Sequence, residues 1–570
     1  MSDVFLKTKS LINEKIKNSL KLVKKELGLQ TDVCDEKIHK LDFSIEIPFN
    51  RSHGDFATNA AFILAKILKI SPLKIAKSIC KNFDLHENYF KTCEVAGNGF
   101  INFILSEKFY NDVLKNIKNK NKNYGKSDFY KGKKVIVEFV SANPTGDMHL
   151  GNARGGSLGD CLASVLEATG YKVHREFYVN DAGNQIEKLA QSLEARYLQF
   201  FLGEDSVAFP EDGYKNYDII SMTKEFIRIY KNEYVGLSSD QRKKALLDFA
   251  LPKNVEKMKK DLQKYKIKYD KWFYESDLYK NKEIENIIEE LKLKNSTYEE
   301  DGVLWAKSSI FNCEKDKVLV RKNGVPTYFT ADIAYHYNKF IKRNFDLCVN
   351  IWGADHHGHV ARMKGAMKAL GIDEKKLKIV IVQIVRLVRG NEVVRMSKRT
   401  GKTIGLVDLL EEVEINEARF MFNMLKANTQ MDFDLDLATR KSAENPVYYV
   451  QYAHARICSI LKKNKKKVDK IKKNEHKNLE LLNSDFEKNL IFCLAYCTEK
   501  IINAAKKFEP ANITRYVLDV ATLFHKFYNH CRIEVEDLKL MNERLYLCLC
   551  TKIVIKNILN MFKIDAPEVM

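Results

Sequence analysis

The residues with the clearest chemical potential lie in SANPTGDMHLGNARGG, residues 141–156. His149 and Asn152 flank Leu150-Gly151 in a His-x-Gly-Asn pattern, with Gly155, Gly156 and Gly159 close behind. Free N–H groups at a helix start and the helix dipole both favour an anion, so a strand–loop–helix unit here would suit a nucleotide phosphate. Glycines in a helix cost on the order of 1 kcal/mol each relative to Ala, a cost that close approach by a ligand or by another backbone would explain. Tight helix–strand packing without a ligand accounts for the same glycines, and the motif alone leaves both readings open. A second cluster, RMSKRTG at 395–401, puts three cations within five residues. It suits either a developing triphosphate charge or an exposed basic turn. Two P-loop candidates fail on spacing, because Met396 and Lys120 occupy the position five residues before Gly401 and Gly125 where a glycine is required.

The surrounding pattern supplies elements that would position these residues. VIVEFV (135–140) reads as a buried strand, NARGGSLGDCLASVLEATG as a helix ending at Gly170, and YKVHREFYV as the next strand. That βαβ order places 141–156 at the carboxyl end of a parallel strand, where doubly wound sheets bind ligands. Residues 184–300 read as a mostly helical, charged insertion. FDLCVNIWGAD and LKIVIVQIVRLV then resume the α/β pattern, and IVRLVRGNEVV reads as two strands joined at Gly390-Asn391. After Leu406 strand signals fade into amphipathic helices. The lysine run 462–477 is a loop that faces either solvent or phosphate. A polar Lys/Asn tract at 114–134 separates a first block, in which HGDFATNAAFILAKIL is a turn then a helix and NGFINFIL has strand character.

The predicted fold is therefore α/β: a doubly wound parallel nucleotide-binding catalytic domain with an N-terminal α+β domain and a C-terminal all-α helical bundle. The expected division is 1–112, 113–405 with its insertion at about 184–300, and 406–570. The 570-residue length suits three or four domains of roughly 100–200 residues each. Net charge is +20, from 95 Lys plus Arg against 75 Asp plus Glu, which suits a polyanionic partner or a solvated lysine surface. No apolar stretch is long enough for a membrane span, and no N-terminal h-region marks a signal peptide. None of the 12 cysteines forms a C-x-x-C pair, and Cys493 and Cys497 in FCLAYC read as core residues, so a reduced, cytoplasmic protein without a zinc ribbon is expected.

EFVSANPTGDMHLGN early and RMSKRTG late resemble the HIGH and KMSKS elements of class I aminoacyl-tRNA synthetases. HGDFATNAAFILAK, AGNGFINF, YVNDAGNQ, PEDGY, WFYES, VPTYFTADIAYH, GADHHGH, ARF, YVQYAHAR and FHKFYNHCR follow in the order of the arginyl-tRNA synthetase family, over essentially the whole chain. The resemblance implies an ATP site at His149, Gly151, Asn152, Met396, Ser397, Lys398 and Arg399, with His149, Asn152 and Lys398 catalytic. It implies that Glu138, Asn143, His149 and His356 hold the main-chain end of L-arginine. Glu275, Tyr328 and Asp332 would take its guanidinium, which favours planar bidentate carboxylates. Asp332 could instead cap a helix beginning at Ile333. Two departures are visible: Asn152 replaces the second His of HIGH, and Arg395 and Arg399 replace the first Lys and last Ser of KMSKS. The implied partners are arginine tRNA, L-arginine and ATP with Mg2+, with no structural metal, no membrane and a monomeric state. The adjacent histidines of GADHHGH point apart on any regular element and form no metal site. Two other classes compete. A small-molecule nucleotidylyltransferase shares the His-x-Gly motif but needs neither the length nor the helical bundle. A synthetase-derived RNA-binding protein would have lost catalysis at Asn152.

Overall fold

A computed structural model describes residues 3–28, 41–85, 89–215, 217–311, 315–390, 392–394, 404–473 and 479–570. The chain opens with helix α1 (Val4–Glu26), N-capped by Asp3, whose side chain accepts from the Leu6 N–H at 3.1 Å. The helix packs beside a four-stranded antiparallel sheet of β1 (Ile45–Glu46), β2 (Phe56–Thr58), β3 (Phe90–Ala96) and β4 (Phe100–Leu105), in the order β1-β2-β4-β3. Helix α2 (Pro72–Asn82), with Pro at its first turn where no N–H partner is needed, lies between β2 and β3 in sequence. The stretch HGDFATNAA holds strand β2 before its helix, a strand too short to show periodicity.

The centre is a five-stranded parallel sheet in the order β12-β11-β5-β6-β7. Its strands are β5 (Lys134–Glu138), β6 (Lys172–Val179), β7 (Lys271–Tyr274), β11 (Leu347–Gly353) and β12 (Leu377–Val382). Val135, Ile136 and Val137 are fully buried, as a strand covered on both faces requires. The crossover from β5 to β6 is α3 (Leu150–Ala168), buried on most of its surface. Because β6 and β11 flank β5 on opposite sides, the crevice beyond the carboxyl ends of β5 and β11 is the topological switch point.

Three helices at Asn184–Leu202, Tyr217–Tyr230 and Ser239–Lys264 follow β6, with a small core of their own. The helical run does not extend to 300, because Lys271–Tyr274 returns to pair with β6 as the edge of the central sheet. A four-residue strand amid charged helical sequence carries little periodic signal. An antiparallel sheet of β8 (Thr297–Glu300), β9 (Val303–Ala306) and β10 (Lys317–Val320) precedes α4 (Tyr328–Tyr337). Helix α5 (His359–Ala369) follows β11. LKIVIVQIVRLV divides into β12 and β13 (Val385–Arg389), and β13 turns antiparallel onto β14 (Glu392–Val394). Strand β15 (Met431–Asp434) adds in parallel to β13, a strand beyond Leu406 where only helices were expected.

From Pro446 the chain is helical: Pro446–Lys463, Lys465–Lys473, Asp485–Ala495, Cys497–Lys507, Ala511–His530 and Leu538–Met561. The lysine run is thus a helix as far as Lys473 rather than a loop. Cys493 and Cys497 are both buried, as read from the sequence. The bundle is bolted to α3 by a buried ionic cluster. Asp160 accepts from Arg419 at 2.5 Å and from Lys563 at 2.6 Å, while Arg419 also donates to the Phe562 and Tyr265 carbonyls. Removing one member of such a cluster strands the others, a cost of about 3–5 kcal/mol. Among the described residues no helix is long and apolar enough to cross a membrane.

Candidate active site

The loop after β5 is strained. Val140 and Ser141 have φ of 72° and 44°, and a β-branched residue in that region is an outlier that must be held in place. Ser141 Oγ supplies part of the hold, donating toward Glu138 at 3.3 Å and accepting from the Tyr178 N–H at 3.2 Å. Glu138 ends β5, and its other oxygen accepts from the fully buried Lys339 at 2.5 Å. Lys339 lies in a π-helical turn, Asn338–Lys342, that continues α4; the wider turn rotates the side chain onto β5. Its ammonium also lies 3.9 Å from the centre of the Tyr335 ring.

His149 is the N-cap of α3, and the Asn152 side-chain oxygen accepts from the His149 N–H at 3.0 Å, closing a capping box. Asn152 thus has a defined structural task, and its amide nitrogen retains donor capacity. The His149 ring is solvent-accessible but shielded enough that desolvation lowers its pKa, against an opposing pull from Asp355. It is therefore neutral near pH 7 and can donate one hydrogen bond. The glycines divide by purpose. A Cβ at Gly156 would meet Ile267 Cδ1 at 2.9 Å, and one at Gly159 would meet the Phe139 ring at 2.3 Å, so these two serve close packing of α3 against its apolar neighbours. A Cβ at Gly151 would meet the His149 ring at 2.9 Å, so this glycine makes room for the motif histidine itself.

Asn152→Ala is expected to cost about 1 kcal/mol of stability, as lost caps do, and to raise the KM for ATP. Asn152→His keeps an acceptor and a donor and should keep activity. An Asn152→Ala enzyme with an unchanged melting temperature and an unchanged rate at limiting ATP would refute both roles.

Met396, Ser397, Lys398 and Arg399, with Arg395, lie outside the described residues. The segment that follows them is well placed: Gly405 forms an antiparallel bridge with His149, and the Leu406 N–H donates to the Met148 carbonyl at 2.8 Å. A Cβ on Gly405 would meet that carbonyl at 2.8 Å, so only glycine fits. The first motif and the segment that follows the second, about 250 residues apart in sequence, are thus joined backbone to backbone.

A second group of side chains gathers from β6, β7, α4 and α5. Glu275 follows β7 and is 3% exposed, with Oε1 lacking any hydrogen-bond partner. Burial pushes its carboxyl up to about 7, and the charges of Asp332 and Asp181 push the same way; the nearby Tyr178 hydroxyl only partly opposes them. Tyr328 begins α4, and its hydroxyl accepts from the Asn184 N–H at 2.5 Å. Gly183, at φ 81°, leaves space for that ring, since a Cβ there would meet it at 2.6 Å. Asp332 lies inside α4, whose N-cap is Thr327, so it is no helix cap. Its Oδ2 lies 2.9 Å from His359 Nε2. His359, the last histidine of GADHHGH, carried no sequence signal for a pairing 27 residues away. His356 is half-exposed, 3.4 Å from Asp355 and beside Trp352. Asn143 is exposed in the β5 loop. Among the described residues no group of three His, Cys, Asp or Glu side chains is arranged to hold a metal ion.

A doubly wound sheet with a His-x-Gly-Asn helix start at its switch point, bridged to the segment after the RMSKRTG sequence, is the arrangement of a class I aminoacyl-tRNA synthetase. Residues 113–457 match the class I (R) tRNA synthetase catalytic domain, 450–570 the DALR anticodon-binding domain and 10–105 the arginyl-tRNA synthetase N-terminal domain. The chain belongs to the arginyl-tRNA synthetase family. It is 52% identical to the arginine–tRNA ligase of Caldanaerobacter subterraneus subsp. tengcongensis and 50% identical to that of Acetivibrio thermocellus, each over 570 residues and 100% of both chains. The arginyl-tRNA synthetase structure from Thermus thermophilus, at 21% identity, shares the fold with a TM-score of 0.74 over 98% of this chain and 99% of that one. The activity is ligation of arginine to its tRNA.

Proposed function

We propose that the two groups of side chains are the ATP and arginine halves of one active site, and that the bridge between His149 and Gly405 is the observation that best supports it. MgATP binds as a substrate, with the ion held mainly by phosphate oxygens and water. An arginine carboxylate oxygen attacks the α-phosphorus, the bond to the β-phosphate breaks, and pyrophosphate leaves. The terminal ribose hydroxyl of the tRNA then attacks the arginyl carbonyl, loses its proton, and AMP leaves. No side-chain nucleophile is needed. Neutral His149, Asn152, the α3 N–H groups and Lys398 meet the phosphate charge, with Gly151 giving close approach and Met396, Ser397 and Arg399 completing the loop. Asn143, His356 and Glu138 hold the main-chain end of arginine, Glu138 through a carboxylate already shared with Lys339. Glu275, Asp332 and Tyr328 hold the guanidinium, and the unpaired, buried Glu275 oxygen is what a cation there would satisfy.

The division 1–112, 113–405 and 406–570 assigns the first block to the tRNA body and the last to the anticodon. Supporting the latter, Tyr448 and Tyr452 stack at 6.3 Å, and Arg456 lies over Tyr452 at 4.5 Å and Tyr528 at 5.0 Å, aromatic and cationic faces that suit unstacked bases. A monomeric, cytoplasmic enzyme completes the reading. Arginine-dependent ATP–pyrophosphate exchange is the decisive assay. It should be weak with arginine alone and rise when cognate tRNA is added. Full exchange without RNA would overturn the requirement for tRNA, and no exchange under either condition would overturn the site.

The raised pKa of Glu275 gives the arginine half its own test. A guanidinium needs the ionised carboxyl, so below about pH 7 binding must first expel a proton. The KM for arginine should rise about tenfold per pH unit below that point and level off above it. Glu275→Gln should flatten the profile. An arginine KM constant between about pH 6 and 8 would remove Glu275 from the pocket.

A further inference from the structure

In the N-terminal sheet Cys80 and Cys93 bring their sulfurs to 3.4 Å. Cys80 lies in the last turn of α2 and Cys93 on the edge strand β3. The register sets Cys93 opposite Phe103 of β4, and directly opposed residues share a face. Phe103 is fully buried, so Cys93 points inward, toward the helix that covers that face. Both residues are nonetheless only partly buried, whereas the eight other described cysteines are all buried. The Cys93 thiol donates to Cys80. That contact pulls the Cys80 pKa below the ordinary thiol value and, with burial, holds Cys93 well above it. The pair therefore has one sulfur suited to attack and a second, still protonated, within reach of it. A disulfide bond of about 2.05 Å needs the sulfurs roughly 1.4 Å closer than their contact distance.

We propose that Cys80 and Cys93 form a peroxide-oxidisable dithiol, a modification site separate from the aminoacylation centre. The Cys80 thiolate attacks one oxygen of hydrogen peroxide, the O–O bond breaks, and hydroxide leaves, which oxidises the sulfur to a sulfenic acid. The Cys93 sulfur then displaces the sulfenic hydroxyl. The S–S bond forms, and the Cys93 proton leaves with that hydroxyl as water. Two thiols are oxidised and one peroxide is reduced. The product staples α2 to the sheet edge beside β4, whose outer face exposes Phe100 and Ile104. A dithiol reductant reverses it by exchange.

Graded hydrogen peroxide on the reduced full-length protein, followed by denaturation, alkylation and peptide mapping, tests this. The expected result is one Cys80–Cys93 cross-linked peptide, formed before the eight buried cysteines among the described residues react, with full recovery in dithiothreitol. Cys93→Ser should accumulate a Cys80 sulfenic acid that dimedone traps, while Cys80→Ser should leave Cys93 unoxidised over the same exposure. Wild-type protein in which both thiols still alkylate once buried cysteines have begun to oxidise would overturn the proposal. So would Cys80 advancing to sulfinic acid while Cys93 stays free, a result that needs no variant to fold.

Discussion

Asp332→Asn is expected to lower kcat/KM for arginine at least about a hundredfold while leaving the KM for ATP and the affinity for tRNA nearly unchanged. The substitution preserves size but removes the charge, and it can turn an amide donor toward the donors of the guanidinium. Stranding one member of a desolvated ion pair costs roughly 3–5 kcal/mol, and a hundredfold loss corresponds to about 2.7 kcal/mol. The Asp332 side chain is 36% exposed in the free protein, so the full cost arises only once bound arginine covers it. Its existing partner sharpens the comparison. His359 holds Oδ2 at 2.9 Å and leaves Oδ1 for the ligand, so the carboxylate is oriented before arginine arrives. His359→Ala should therefore loosen arginine binding less than Asp332→Asn does. Since Asp332 caps no helix, a melting temperature close to that of the wild type is expected for Asp332→Asn. A lower melting point with near-normal arginine kinetics would refute the pocket assignment.

How far such a site can be read in advance depends on whether its signal is local. The β5–loop–α3 unit was legible because strand, turn and helix follow one another without a break, and the observed spans Lys134–Glu138, Leu150–Ala168 and Lys172–Val179 follow that reading closely. The glycine cluster was only half legible. Its cost implied close approach, but the neighbours of Gly156 and Gly159 are Ile267 and Phe139, whereas that of Gly151 is the motif histidine. Strands β7 and β15 were not legible. Each is four residues long, and each exists because a neighbouring strand offers an edge to pair with. Lys339 and His359 escaped for a related reason. A π turn, not the regular helical phase, puts Lys339 on the β5 side of α4, and His359 meets Asp332 only through the packing of α5 on α4. Glu275 came from family resemblance; its place at the end of the sheet edge explains why burial and an unpaired oxygen coincide there.

Lys398→Ala should cut kcat about 10²–10³-fold with little change in the KM for arginine. Removing one preorganised donor from a site of developing charge costs about 2.7–4 kcal/mol. Lys398 itself lies outside the described residues, but both ends of its segment are anchored. Val394 ends β14, four residues before it, and Gly405 bridges to His149, seven residues after it. Gly405 thus brings the chain that follows Lys398 to the start of α3. That start is where the α3 N–H groups and neutral His149 already favour an anion. Stabilisation confined to the transition state lowers kcat and kcat/KM together, whereas a ground-state contact raises KM alone. Lys398→Arg separates charge from geometry: an activity between those of wild type and Lys398→Ala is expected, because a planar fork replaces a compact ammonium. Full activity in Lys398→Ala, or a loss seen only as a higher KM for ATP, would leave the phosphate charge to His149 and the backbone amides of α3.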